Sequence, residues 1–591
     1  MCGIVGYLGR APASPILLDL LAKLEHRGYD SCGVAIKGSP LRVFKGAMRV
    51  KELADLVPND IQGTVGIGHT RWATHGGVTQ QNAHPHTDCT GSIAVVHNGI
   101  LDNYHGLRTE LVSDGHTFSS QTDTEVIAHL IEKHHRGTLE DAVVQASTKL
   151  RGSWAIVAVS AGERKLVAAR QKAPLIIGLD DDGYVMSSDA IAMLGHATSV
   201  IHLEDGDIAV ISDEGLRITH DGHLVEREIK KIPCDAEAID KNGYEHYTLK
   251  EILEQPEVLH RNLITHSDGA FFASPFARDA VDSITIVACG TSYHAGLIGK
   301  HVIENMLGIP VSVINASEFV YRPVCAASLA IAITQSGETA DVLAAARRIK
   351  DTETPLLAIT NAPYSTITTL ADQVLYTNAG PEIGVAATKT YTAQLVALFK
   401  LVLSSPHLTT QTRESLTTGL EQLPEMIRHT CSQNSDIEAC ARFVATYERA
   451  FIIGRGVNLP TAYEGALKLK ELAYIHAEGY SAGELKHGPF ALLDKNTPVI
   501  AVLADDETRQ AMINNVHEVK ARHAPIVAVT YDGDEAVDEL CSIVIRVPRT
   551  AYPCSTIVNA VALQLLAYHA AKLRRCPIDF PRNIAKSVTV E

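Results

Sequence analysis

Cys2 stands one residue from Met1, and removal of that methionine gives the cysteine its own α-amine. An α-amine titrates near about 8 and a free thiol near about 8.5, so at neutral pH the amine can take the thiol proton. One residue then supplies both nucleophile and base. Three further clusters suit acyl transfer from an amino acid. Gly68-His69-Thr70-Arg71-Trp72-Ala73-Thr74-His75-Gly76 sets a guanidinium beside an indole and two hydroxyls, a cradle for a carboxylate by bidentate pairing. His97-Asn98-Gly99 is expected at the end of a strand, where the Asn98 amide and the Gly99 N–H are the two donors an oxyanion hole needs. Asp123 can receive an ammonium group. Singly, each has an ordinary explanation: an inert thiol, a surface ion pair at Arg71, a hairpin turn at Asn98-Gly99, a helix cap at Asp123.

A second set lies in the last two thirds. Cys289-Gly290-Thr291-Ser292 and Thr334-Gln335-Ser336-Gly337-Glu338-Thr339 each follow an apolar run and open a helix. Hydroxyls and free N–H groups at helix N-termini suit a phosphate. The Gly-x-x-x-x-Gly-Lys-Ser/Thr loop of nucleotide sites is absent. Glu464, Lys468 and Glu471 fall near one helix face at spacings of four and three, and Gly483-Glu484-Leu485-Lys486-His487-Gly488-Pro489 presents a histidine between flexible and rigid residues. The chain ends Pro581-Arg582-Asn583-Ile584-Ala585-Lys586-Ser587-Val588-Thr589-Val590-Glu591. Helix caps, a surface ion-pair ladder and a frayed tail are the ordinary alternatives.

The elements that must position these residues follow from periodicity. Ile16 to Leu24 has helical apolar spacing. Thr64–His69, Ser92–His97, Trp154–Val159, Lys165–Arg170, Leu175–Leu179 and Gly206–Ile211 read as strands, with a helix from about Thr124 to His134. Two β-layers with helices packed on them are expected. Ile232-Pro233-Cys234-Asp235 to Gly243 breaks the pattern as a linker, and Tyr247 to Asn262 reads as an amphipathic helix that Pro256 bends or interrupts. Beyond it the chain repeats weakly at a shift of about 165–170 residues. Ser283–Gly290 aligns with Ala450–Gly456; Ser328–Ser336 with Thr497–Ala504; Leu356–Thr360 with Ile526–Thr530. Short continuous apolar strands alternating with helices predict two parallel, doubly wound sheets whose ligands lie beyond the strands' carboxyl ends.

The sequence has 591 residues and a net charge of -16 with both signs interspersed, which disfavours nucleic acid or an anionic membrane as a partner. No apolar run spans a bilayer and the start lacks the pattern of a signal peptide. Eleven cysteines without a Cys-x-x-Cys argue against a disulfide framework and a zinc site. A reduced, cytoplasmic protein is expected, with no metal and no cofactor.

Cys-Gly-Ile-Val-Gly at the start, with Arg71, Asn98-Gly99 and Asp123, closely resembles the class II glutamine amidotransferase domain of the N-terminal nucleophile hydrolases. Ser-Gly-Glu-Thr-Ala-Asp, Glu-Gly-Ala-Leu-Lys-Leu-Lys-Glu, Gly-Glu-Leu-Lys-His-Gly-Pro and the Ala-Lys-Ser-Val-Thr-Val-Glu ending are similar, as a set, to the isomerase half of the glutamine:fructose-6-phosphate aminotransferases. The resemblance covers essentially the whole chain, and its length resembles the bacterial form. It implies an α+β N-terminal nucleophile (αββα) glutaminase domain at 2–230, a linker and connector helix at 231–262, two α/β doubly wound parallel-sheet sugar isomerase (SIS) lobes at 263–420 and 421–580, and a catalytic tail at 581–591. It also implies conversion of fructose 6-phosphate and L-glutamine to glucosamine 6-phosphate and glutamate, the first step of hexosamine synthesis.

By the same resemblance Cys2 attacks the glutamine amide while Asn98 and the Gly99 N–H hold the oxyanion. Arg71 and Asp123 grip the α-carboxylate and α-amine, Thr74 and His75 line the pocket, and Trp72 gates the ammonia exit. Lys586 forms a Schiff base with the open-chain ketose and Glu471 moves the proton between carbons 1 and 2. His487, donated by the neighbouring subunit of a homodimer built through the SIS lobes, helps open the ring. Cys289, Gly290, Thr291, Ser292, Thr334, Gln335, Ser336, Thr339, Val385, Glu464, Lys468 and Ala585 surround the sugar phosphate. Three positions depart from the family pattern: Thr334 and Ala387 stand where serine is usual, and Gln121 where glutamate is usual. An asparagine-synthetase-like or phosphoribosyl acceptor half would need loops the chain lacks, a sugar-phosphate sensor would not need Glu471, His487 and Lys586, and a deglycase would have no use for Cys2.

Overall fold

The computed structural model describes residues 2–180, 182–232, 240–264, 275, 281–323 and 327–589. Met1, most of the expected linker and the final two residues of the tail therefore lie outside the described residues. Two compact units divide the chain, residues 1–239 with 587–591, and residues 240–586.

In the first unit alternation decides the layering. Along the strand Gly3–Gly9, Ile4 and Leu8 enter one core while Val5 and Tyr7 enter another on the opposite face. This strand sits within an eight-stranded sheet, between Gly183–Ser187 and Val65–Arg71, with antiparallel pairing on both sides. A seven-stranded sheet has Ile93–Leu101 and Gly152–Ser160 paired antiparallel near one edge. Ile4, Ile67 and Met186 from the first sheet meet Val96, Val157 and Leu166 from the second. The outer faces are covered by helices: Ala13–Leu24 on the first sheet, Glu125–His134 and Leu139–Ser147 on the second. The αββα sandwich follows.

The second unit holds two five-stranded sheets, each with every pairing parallel. The first is ordered Val311–Asn315, Ile284–Ala288, Leu329–Thr334, Leu356–Thr360, Gln373–Tyr376. The second is ordered His476–Ser481, Arg449–Gly454, Val499–Val502, Ile526–Tyr531, Ile543–Val547, so the repeat extends to strand order. Each sheet has two strands more than the pattern predicted. The additional ones occupy the edges, where side chains such as Ser312 and His476 remain exposed. Tyr247–Leu253 and Gln255–Ile264 are two helices rather than one, broken just before Pro256. Helices Lys389–Leu403 and Ser555–Leu573 are apolar nearly all round, and both sink into one core cluster shared by the two sheets. Among the described residues, no helix is long and apolar enough to cross a membrane.

Candidate active site

Arg71 ends the strand Val65–Arg71, and the next residue holds the thiol of Cys2: the Trp72 N–H donates to Sγ at 3.3 Å and Sγ donates to the Trp72 carbonyl at 3.5 Å. The Trp72 indole meets Tyr29 edge to face. The Asn98 amide donates to the Cys2 carbonyl at 3.0 Å. Its orientation is fixed from behind by His69, whose Nε2 lies 2.9 Å from the His97 carbonyl and 3.1 Å from Asn98 Oδ1. A carbonyl only accepts, so Nε2 carries the proton, and Asn98 must turn its NH2 toward Cys2. Burial pushes the His69 imidazole down to about 3, keeping it a neutral donor.

Asn98 and Gly99 do not end a strand as expected. Ile93–Leu101 runs on through them, with Asn98 opposite Ala155 and Gly99 opposite Trp154. Gly99 holds φ +124°, and a Cβ there would lie 1.9 Å from the Ser153 carbonyl oxygen, so only glycine fits. Asp123 is not a helix cap: it accepts the Leu101 N–H at 3.0 Å, while the adjacent helix begins after Thr124. Arg71 is buried, with its guanidinium donating to the carbonyls of His75, Gly76 and Gly77. Arg71 and Asp123 both act electrostatically on the Cys2 thiol, which burial pushes up. Thr74 is exposed; His75 packs its ring on Tyr104 and leaves a buried Nδ1 without a partner. Gln121 makes a reciprocal pair of hydrogen bonds with Asn82, which explains how an amide serves at that position.

In the second unit the chemistry gathers at the carboxyl ends of the first sheet. Leu329–Thr334 leads into a turn in which the Thr334 hydroxyl accepts the Gly337 N–H at 3.2 Å and pairs with the Thr339 hydroxyl at 3.0 Å. Gly337 holds φ +67°, with Ser365 Oγ 1.9 Å from where a Cβ would stand. Glu338 closes the turn by accepting the Thr366 N–H at 2.7 Å. Ser292 is held by the Gln394 amide at 3.0 Å, and the Cys289 thiol lies 3.7 Å from Asn315 Oδ1. Gln335 and Ser336 are half-buried beside them.

Opposite stands helix Leu459–Ala473. Glu464, fully buried, accepts from the Thr291 hydroxyl at 3.1 Å and sits 2.8 Å from His294 Nδ1. Lys468, equally buried, lies 3.3 Å from Glu464, 2.5 Å from Glu471 and 3.3 Å from the Thr291 hydroxyl. Burial alone would lower the ammonium's pKa, but the two carboxylates outweigh it and raise it. Lys586 forms a buried ion pair with Glu382 and donates to the Gly384 carbonyl at 2.8 Å. Against the cost of burial, Lys586 together with N–H donors from Thr388 and Thr390 holds Glu382 down to about 2. Glu251, buried and facing the Glu382 charge, is pushed up to about 8. Val385 donates its N–H to the Asp579 carbonyl at 3.1 Å, and Ala585 is half-buried next to Lys586. His487 is exposed at the end of a short 3-10 helix, and no hydrogen bond joins it to Glu471 or Lys586.

A family model described as a glutamine amidotransferase domain matches residues 69–195, and one described as a SIS domain matches 279–404 and again 444–574. Over its full length, and the full length of the relative, the chain is 44% identical to glutamine–fructose-6-phosphate aminotransferase (isomerizing) of Methanosarcina mazei. The chain belongs to the glutamine–fructose-6-phosphate aminotransferase (isomerizing) family. Relatives of the same name from Methanothermobacter thermautotrophicus and Aquifex aeolicus are 46% and 43% identical, each covered completely. The solved C-terminal domain of glucosamine-fructose-6-phosphate aminotransferase from Francisella tularensis matches 58% of this chain and all of its own, at 38% identity and a TM-score of 0.55. Tagatose-6-phosphate ketose/aldose isomerase from Escherichia coli shares the fold alone, at 19% identity and a TM-score of 0.50 over 58% of this chain and 97% of that one.

Within this aminotransferase, sequence reasoning missed His69, Glu251, His294 and Glu382. His69 stands within the Arg71 cluster, and its sequence setting gives no hint of its grip on Asn98. Glu251 carries only a helical charge pattern, and Glu382 lies in irregular chain before Lys389–Leu403, more than two hundred residues from its partner Lys586.

Proposed function

We propose that the chain converts fructose 6-phosphate and L-glutamine to glucosamine 6-phosphate and L-glutamate. The observation that carries this is that one aminotransferase-family chain holds Cys2 with its carbonyl accepting the oriented Asn98 amide, and a buried Glu464–Lys468 pair joined to Glu471 and to the Thr291 hydroxyl. Removal of Met1 frees the Cys2 α-amine as base. Sγ attacks the glutamine amide carbon, Asn98 Nδ2 and the Gly99 N–H take the oxyanion, ammonia leaves with the proton carried by the amine, and water hydrolyses the thioester. Arg71 and Asp123 hold the α-carboxylate and α-ammonium, with Trp72, Thr74 and His75 around them.

In the second unit Thr334, Gln335, Ser336 and Thr339 bind the phosphate, with Cys289, Gly290, Thr291, Ser292, Val385 and Ala585 along the sugar. Lys586 condenses with carbon 2, losing water, and ammonia displaces it. To become the neutral amine that step needs, Lys586 passes its proton to Glu382 and turns out of the ion pair. Glu471 moves the proton from carbon 1 to carbon 2, while Lys468, anchored by Glu464, fixes its position. His487 reaches the ring of a sugar bound to a second copy, which makes the working form a homodimer; its exposure in the single chain supports this. All nine described cysteines are free thiols, which supports a reducing, cytoplasmic setting.

Amide-15N glutamine and fructose 6-phosphate test the reading together. Label in glucosamine 6-phosphate equal to glutamate released supports both halves. Glutamate without labelled sugar removes the acceptor reading, and neither product removes the enzyme.

A further inference from the structure

Away from the Cys2 thiol, the first unit brings four potential metal ligands to one point: Cys89 in the turn before Ile93–Leu101, His116 just after the helix Tyr104–Ser113, and His129 and Glu132 on the helix Glu125–His134. Their ligating atoms all lie within 4.8 Å of one another. We propose that Cys89 Sγ, His116 Nδ1, His129 Nδ1 and Glu132 Oε2 form a tetrahedral structural site for zinc.

Geometry supports this first. Zinc bonds of about 2.0–2.3 Å place tetrahedral donors about 3.3–3.7 Å apart. The sulfur lies 3.5 Å from His129 Nδ1 and 3.7 Å from His116 Nδ1, and the two nitrogens lie 3.1 and 2.9 Å from the same carboxylate oxygen. Both imidazoles thus aim one nitrogen at a thiol and a carboxylate together, where a single cation serves all four lone pairs. The surroundings supply the outer partners such a site uses. The Thr117 N–H points at the sulfur at 3.5 Å, as suits a thiolate, and the Cys89 N–H donates to Glu132 Oε2 at 3.2 Å. The far nitrogen of His129 faces the Glu125 carboxylate at 3.8 Å, and Phe118 shields the ring with an edge-to-face contact. Thiolate, imidazole and carboxylate form a donor set that favours zinc, and four protein ligands leave no open position for catalysis. Binding displaces the thiol proton, and that of any imidazolium, to solvent.

The absence of Cys-x-x-Cys gave no warning, because the four donors come from three separate segments. Its consequence reaches the glutamine site. The ligands His116 and His129 bracket Gln121 and Asp123, so a bound zinc pins both ends of the segment that presents Asp123. This second claim rests on the proposed role of Asp123; the metal content does not.

The test uses full-length protein purified under a phosphine reductant without chelator, its metal measured by mass spectrometry, then exchanged for cobalt(II). The expected result is one zinc per chain, a cobalt form with thiolate charge-transfer and tetrahedral bands, and loss of both in Cys89→Ser and His116→Ala but not in Cys576→Ser. Circular dichroism establishes that the variants fold. Less than a tenth of an equivalent of zinc after purification and zinc titration, or a cobalt spectrum unchanged by Cys89→Ser, overturns the site. A severalfold rise in the glutamine KM of Cys89→Ser supports the positioning role; an unchanged KM with zinc lost overturns that role and leaves the site standing.

Discussion

Gly99→Ala tests the proposed oxyanion hole. The added Cβ meets three atoms of the neighbouring strand's backbone: the Ser153 carbonyl oxygen at 1.9 Å, its carbon at 2.7 Å and Trp154 Cα at 2.9 Å. No rotamer relieves this, because every contact is main chain. Since such contacts essentially never fall below 3.0 Å, the strand must move by at least about 1.1 Å, and a φ of +124° adds about 1–3 kcal/mol of strain for alanine. A misplacement of that size costs about a hundredfold in a catalytic geometry, and loss of one oxyanion donor about a hundred- to a thousandfold in kcat. The expected outcome is a glutaminase kcat lowered by about two to three orders of magnitude, read as glutamate release. The glutamine KM should rise by less than about tenfold, since Arg71 keeps its carbonyl partners. Calorimetric binding of fructose 6-phosphate, which belongs to the other unit, should stay parental and separates a local defect from a failure to fold. A variant that retains kcat within about threefold of the parent refutes the assignment of the Gly99 N–H.

Three further outcomes are expected. Glu251 has a folded pKa of about 8 against 4.5 unfolded, so its contribution is complete below pH 4.5 and is lost as pH rises to about 8; Glu251→Gln should remove a decline of up to about 1.4 kcal/mol per pH unit in denaturant unfolding across that window and raise stability at pH 8. Glu382 has the opposite sign, its stabilisation present above pH 4.5 and lost as pH falls toward about 2; Glu382→Ala, which leaves the Lys586 ammonium buried without its carboxylate, should cost about 3–5 kcal/mol at pH 7, and an unchanged melting temperature would contradict the buried pair. Glu471→Gln should lower amino-sugar formation by about a hundred- to ten-thousandfold while sugar-phosphate binding and glutamine hydrolysis persist; a loss of binding instead would assign Glu471 to the ground state.

The architecture was legible wherever a strand or helix has two chemically different faces or is apolar throughout. Ile4 and Leu8 against Val5 and Tyr7 announce a sheet buried on both sides, and Ile284 to Ala288 a central parallel strand. Edge strands such as Val311–Asn315 and His476–Ser481 escaped because half their side chains are polar and their order comes from a neighbour's backbone. Asn98-Gly99 was read as a strand end because glycine after asparagine usually turns the chain; the pairing with Trp154 and Ala155 carries it straight through. The local clusters around Arg71 and Glu464 were visible as spacing. What spacing cannot show is the partner across the fold: His69 behind Asn98, Glu382 against Lys586, and Cys89 beside His129.

The matching strand order of the two SIS lobes has a consequence for how such a protein can change. A lobe acting alone would have to pair with its own copy, and every substitution would then appear on both sides of the shared site. Joining the two in one polypeptide breaks that symmetry while keeping the second lobe at a high effective concentration. One half has become hydroxyl-rich around Thr291 and Thr334, and the other carries Glu464, Lys468 and Glu471. The Thr291–Glu464 hydrogen bond is the seam between these divided labours. A substitution on either side of it leaves a polar group on the other side without this partner, so the two lobes are tied at that point by a shared bond.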